Sequence, residues 1–195
     1  MSSPSSTRLV IISGPSGAGK SSVLRLLLET CPLPFLMSVS ATTREPRPGE
    51  LDGMDYHFLS VAEFQRRREA GEFLECKEVF GRGHWYGTLR SQVASGLSAA
   101  KWVILEIDVE GAAAVLQQHP DAVTIFLHPG SMDELERRLR DRNTETEKSI
   151  RRRLEVASRE LASSDRYRHE VINDKVEQAA DEICRILRSY GESDA

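Results

Sequence analysis

Leu9-Val10-Ile11-Ile12-Ser13-Gly14-Pro15-Ser16-Gly17-Ala18-Gly19-Lys20-Ser21-Ser22-Val23-Leu24-Arg25-Leu26-Leu27-Leu28 is the stretch that decides the fold. Leu9 to Ile12 reads as a buried strand, and Val23, Leu24, Leu26, Leu27 and Leu28 recur with helical spacing. Between them, Gly14 to Ser21 fits G-x-x-x-x-G-K-[ST]. Strand, glycine-rich loop and helix follow in the order that gives this pattern meaning. Glycines let backbone N–H groups close around phosphate oxygens without Cβ clashes. The helix N-terminus adds the positive end of its dipole. The stretch therefore reads as a P-loop for the phosphates of a nucleotide, formed by Gly14, Pro15, Ser16, Gly17, Ala18, Gly19, Lys20, Ser21 and Ser22. Lys20 is expected to reach the β- and γ-phosphates and Ser21 to hold Mg²⁺.

Outward from this stretch, strands and helices alternate, which implies an α/β fold with a parallel sheet flanked by helices. Trp102–Ile107 and Ala122–Leu127 are apolar runs of the kind buried on both faces of such a sheet. Helices are expected at Lys20–Thr30, Ser60–Ala70, Leu89–Leu97, Glu110–Gln118, Ser131–Arg142, Thr146–Ala162 and Lys175–Tyr190. Short strands are expected at Phe35–Ser40, Tyr56–Leu59, Phe73–Phe80 and Glu170–Asn173. Thr42 to Glu50 carries Pro46 and Pro48 and reads as a non-helical loop. The expected division is a frayed start at 1–8 and a core from 9–36, 91–130 and 164–195. Residues 37–90 form an inserted module of mixed strands, and 131–163 a helical lid.

The composition, with 39% hydrophobic and 29% charged residues, excludes a mostly disordered chain. No apolar stretch is long enough for a membrane span, and residues 1–8 lack the apolar core of a signal peptide. The expected location is the cytoplasm. The net charge of −4 gives no global bias toward nucleic acid. Residues 137–153, however, hold eight basic residues against three acidic ones, which points to an anion met by this segment. Cys31, Cys76 and Cys184 are widely spaced without C-x-x-C, and are expected to be three reduced thiols rather than a disulfide framework or a zinc site.

The second constellation is Ser38-Val39-Ser40-Ala41-Thr42-Thr43-Arg44-Glu45-Pro46-Arg47-Pro48-Gly49-Glu50. Two arginines three apart on a proline-stiffened loop make a pair of planar forks suited to a phosphate, or else two solvated surface arginines. Here the sequence closely resembles the guanylate kinases, enzymes that move a phosphoryl group from ATP to GMP. The matching stretches are SGPSGAGKSS, SVSATTREPRPGE, GEFLE, WYGT, Glu106 to Gly111, RRLRDRNTET, IRRRL and VIND, in family order from Leu9 to Asp174. The resemblance implies that Arg44 and Arg47 clamp the GMP phosphate with Tyr56 and Tyr86. It places Ser40, Glu75 and Thr88 around guanine, and Asp108 between substrate and metal. Glu106 stands where the family usually has aspartate and is a second candidate near the metal, through water. Arg138, Arg142 and Arg153 are implied as lid arginines closing on the transferring group, beside Lys20 and Arg44 as catalytic residues, and Asn173 is implied near adenine. The link through Arg82 to Trp85 looks longer than is usual for the family.

The chemistry agrees with these assignments. An ionised glutamate is acceptor-only and can take both the N1–H and the 2-amino donors of guanine. Adenine offers an acceptor at N1 and has no 2-amino group. Phosphoryl transfer spreads negative charge that arginines on a closing element can neutralise. Two other readings are an inactive guanylate-kinase-like module binding phosphopeptides, and a P-loop kinase of a phosphorylated sugar. The retained P-loop argues against the first, and the Ser40, Glu75 and Thr88 pocket against the second. The assembly is expected to be a monomer or a homodimer.

Overall fold

The computed structural model describes residues 8–79, 83–141 and 146–192. In chain order the first half holds β1 (Leu9–Ser13), α1 (Lys20–Thr30), β2 (Phe35–Met37), β3 (Ala41–Thr42), β4 (His57–Phe58), α2 (Val61–Glu69), β5 (Phe73–Val79), β6 (His84–Leu89) and α3 (Arg90–Ser98). The second half holds β7 (Trp102–Glu106), α4 (Val109–Gln118), β8 (Val123–His128), α5 (Met132–Asp141), α6 (Glu147–Leu161), β9 (His169–Ile172) and α7 (Val176–Glu192), with a 3₁₀ turn at Ser164–Arg166.

A five-stranded sheet in the order β2-β7-β1-β8-β9 is parallel throughout. The alternation of Cβ directions along β1 explains its unbroken apolar run. Val10 and Ile12 face one core with Leu24 and Leu27 of α1 and Ile183 and Leu187 of α7. Leu9 and Ile11 face the other with Val93 of α3 and Val115 of α4. A second sheet, β4-β3-β6-β5, pairs β3 with β4 in parallel and the rest antiparallel. Its apolar face packs Phe73 and Leu89 on Phe64 of α2, with the Phe64 and Phe73 rings stacked at 4.4 Å.

The α/β architecture agrees with the sequence reading, and several local boundaries move. The Phe35–Ser40 strand stops at Met37, because Val39 N–H donates to the Gln92 side chain at 2.8 Å rather than continuing the ladder. Ala41–Thr42, at the edge of the expected loop, is a short strand between β4 and β6. His84–Leu89 is a strand the sequence pattern does not announce. Its glycine, Gly87, is required because a Cβ there would lie 2.9 Å from Cys76 Cβ. α2 starts as expected, with Ser60 Oγ accepting from Glu63 N–H at 3.1 Å.

The cysteines require a correction. Cys31 and Cys184 are bonded to each other, while Cys76 is free. Cys31 caps the C-terminus of α1 and Cys184 lies on α7. The two helices pack side by side on one face of the sheet, bringing together residues 153 positions apart. Sequence spacing carries no sign of such a pairing. Among the described residues, no helix is long and apolar enough to cross a membrane.

Candidate active site

β1 delivers the chain to the P-loop at the C-terminal edge of the sheet, where ligands of open α/β folds bind. Gly14 passes so close to β8 that a Cβ would lie 1.9 Å from Leu127 O. Gly19 precedes α1 with φ +86°, a left-handed conformation that favours glycine. Lys20 Nζ donates to Gly14 O at 2.7 Å and to Pro15 O at 3.3 Å. Burial lowers its pKa against the pull of Glu106, Glu160 and Asp108. Ser21 Oγ lies 3.4 Å from Glu106 Oε1 at the end of β7. Ser16 and Ser22 are exposed, and Pro15 and Ala18 are buried.

Asn173 lies behind the loop. Its Nδ2 donates to Ala18 O at 2.7 Å and its Oδ1 is buried without a hydrogen-bond partner. A Cβ on Gly19 would meet the same amide at 2.4 Å. Arg138 Nη2 donates to Asn173 O at 2.8 Å while its Nε donates to Glu134 at 2.7 Å. α5 is thereby fastened beside the P-loop, and Leu135 and Leu139 close on Gly17. Arg153 is half-buried on α6. Arg142 lies outside the described residues, as does Arg82.

The other wall is the polar face of the mixed sheet. Register pairs Glu75 with Thr88 and Lys77 with Tyr86, so these four share one face. Thr88 is buried and its Oγ1 donates to Glu75 Oε1 at 2.7 Å. Burial raises the Glu75 pKa, Thr88 lowers it, Asp108 raises it and Lys77 lowers it. Tyr56 and Tyr86 meet edge to face at 5.8 Å. Arg44 Nε donates to Tyr86 Oη at 3.3 Å, and its guanidinium lies 5.4 Å from the centre of the Tyr56 ring. Its Nη1 and Nη2 form a two-point pair with Glu50 at 2.9 Å each. Glu50 also accepts from Arg47 N–H at 2.7 Å and so ties the loop together, leaving the Arg47 side chain exposed.

A cleft of about 820 Å³ joins the two walls, lined among others by Gly14, Ser16, Lys20, Ser21, Ser40, Tyr56, Glu75, Tyr86, Glu106 and Asp108. Asp108 caps α4, its Oδ1 accepting from Gly111 N–H at 2.8 Å and Glu110 N–H at 3.1 Å, and its Oδ2 accepts from Lys77 at 2.7 Å. Both oxygens are thus engaged, and Glu106 is the carboxylate facing Ser21. Sequence reasoning missed four charged members of the cleft, Arg25, Asp55, Lys77 and Glu160. Lys77 was signalled by its spacing of two from Glu75 on a strand. Glu160, on α6, has a pKa raised by burial and lowered by Lys20, and nothing in the sequence marks it.

One cleft holding both a P-loop and a carboxylate-bearing sheet face is an arrangement for bringing a triphosphate to a second substrate. Comparison with known proteins agrees. The family profile described as guanylate kinase matches residues 6–190. A curated guanylate kinase of Rhodopirellula baltica is 62% identical over 181 residues, covering 92% of this chain and 87% of the relative. One of Rubrobacter xylanophilus is 47% identical over 181 residues, covering 93% of each. The crystal structure of guanylate kinase from Anaplasma phagocytophilum superposes with a TM-score of 0.74 at 34% identity, covering 93% of this chain and 84% of that one. A match of this length and identity, on the same fold, places the chain in the guanylate kinase family.

Proposed function

We propose that the chain is an ATP:GMP phosphotransferase, giving ADP and GDP, and that the cleft between the P-loop and the mixed sheet is where both substrates meet. The observation that carries this is the single continuous cleft, with Lys20 at one end and the Glu75–Thr88 pair on the opposite wall. ATP lies on Gly14 to Ser22, with adenine toward Asn173 and Lys20 turning from its carbonyl partners to the β- and γ-phosphates. GMP lies on the 37–90 module. Arg44 and Arg47 hold its phosphate with the Tyr56 and Tyr86 hydroxyls, while Glu75, Ser40 and Thr88 read guanine. Asp108 stands between the two substrates.

The donors around Ser21 and Glu106 are hard oxygens, which suits Mg²⁺. Among the described residues no group of three or more His, Cys, Asp or Glu could hold a metal alone. Substrate phosphates and water would complete the coordination, as is usual for this ion. When bound, Mg²⁺ supplies charge neutralisation at the phosphate oxygens. The residues of the chain position and exclude. The lid expected over 131–163 brings Arg138 and Arg153 toward the transferring group and keeps water out. Transfer is direct and in line, so no protein nucleophile is required. A cytoplasmic location follows from where ATP and GMP are available.

The test is ADP production from ATP and Mg²⁺ with GMP, AMP, CMP or UMP in parallel. Turnover with GMP alone supports the reading, and no turnover with any of them refutes it.

A further inference from the structure

Lys77 has no part in the roles above, yet it lines the cleft on the same strand face as Glu75. Its Nζ donates to Asp108 Oδ2 at 2.7 Å and lies 2.8 Å from Glu110 Oε2. Its side chain is 23% exposed, so the pair with Asp108 is not a fully solvated one. Asp108 Oδ1 is committed to the cap of α4, and among the described residues Lys77 is the side chain that donates to Oδ2. Two residues earlier on β5, Glu75 abuts the same helical turn. A Cβ on Gly111 would lie 3.1 Å from Glu75 Oε2. β5 is therefore joined to the first turn of α4 at adjacent points, one ionic through Lys77 and one steric through Glu75. Without the ammonium, Glu75, Asp108 and Glu110 would face each other as like charges, and the two carboxylates that line the cleft would separate.

We propose that Lys77 is a positioning residue for the GMP half of the cleft, holding the Asp108 carboxylate at a fixed place relative to Glu75. The proposal rests on the reading that Glu75 and Asp108 face GMP. It goes beyond that reading by assigning the residue that keeps them in register.

The experiment is steady-state kinetics of Lys77→Met and Lys77→Arg, with GMP and ATP varied separately. A charge-assisted contact discounted for partial exposure predicts about a tenfold rise in KM for GMP in Lys77→Met. ATP KM stays within about twofold and kcat falls by less than about threefold. Lys77→Arg recovers most of the GMP affinity, since a guanidinium can also bridge two carboxylates. Calorimetric GMP binding in an Asp108→Asn background tests the route. There Lys77→Met adds less than about a twofold loss, because the group it positions is no longer charged. A GMP KM within about twofold of the parent overturns the proposal, as does a loss undiminished in the Asp108→Asn background. Lys77→Gln replaces Lys77→Met if the latter does not fold. Glu75→Gln run in parallel separates the two failures. If its GMP/AMP ratio collapses while Lys77→Met is silent, only the positioning role falls. If its ratio is unchanged, the base pocket itself falls.

Discussion

Replacing Glu75 by glutamine changes one atom type at a site whose geometry fixes the consequence. Glu75 Oε1 accepts from the buried Thr88 hydroxyl at 2.7 Å, and Oε2 points toward Gly111. In Glu75→Gln the amide oxygen stays with Thr88, because the hydroxyl has its proton directed there. The NH₂ group then takes the place of Oε2, where guanine must present a donor. A charge-assisted hydrogen bond is lost and two donors are opposed, together about 3 kcal/mol, or about a hundredfold in kcat/KM for GMP. AMP, with an acceptor at N1, gains instead of losing, and KM for ATP is unchanged. The fold does not suffer. Burial holds the Glu75 pKa above its ordinary 4.5, so the ionised form costs stability at neutral pH and a neutral amide removes that cost. The assay is coupled ADP production with GMP and AMP, beside a thermal melt. A GMP/AMP ratio within about twofold of the parent would refute the assignment of Glu75 to the base.

Lys20→Ala lowers turnover by at least about 10³-fold, measured as ADP release at saturating substrate. Its melting temperature holds or rises, because burial lowers the Lys20 pKa and the charged form is a cost to the folded state at neutral pH. On acidification, KM for GMP begins to rise at a pH above that of an ordinary carboxylate. Burial raises the Glu75 pKa, and the protonated group no longer accepts from guanine. A pH profile of KM for GMP that is flat to the ordinary carboxylate range removes the ionised Glu75 from binding. Reduction of Cys31–Cys184 releases a constraint on a long loop and costs about 2–4 kcal/mol. It lowers the melting temperature by about 5–15 °C in a chain of this size. A melt unchanged by reductant, with thiol titration rising by two, contradicts that figure.

What the sequence made legible was chemistry that the backbone itself performs. A P-loop needs glycines at particular positions, and the approach of Gly14 to Leu127 O shows why no other residue serves there. The buried strands were readable because β1, β7 and β8 are apolar on both faces. β6 was not, because Trp85, Tyr86, Gly87 and Thr88 follow no alternation of apolar and polar residues, and their register against β5 exists only in three dimensions. The larger omission was counter-charge. Glu50 occupies both arms of Arg44, Lys77 secures Asp108, and Glu106 and Glu160 act on Lys20. Partners on one helix, such as Glu134 four residues before Arg138, were within reach of spacing arguments. A charge withdrawn from water must be compensated nearby, so each charged residue read from a motif implies a partner on some facing element. The motif names the first member and the packing chooses the second. That is why Lys77, absent from every motif, stands at the junction between the two walls of the cleft.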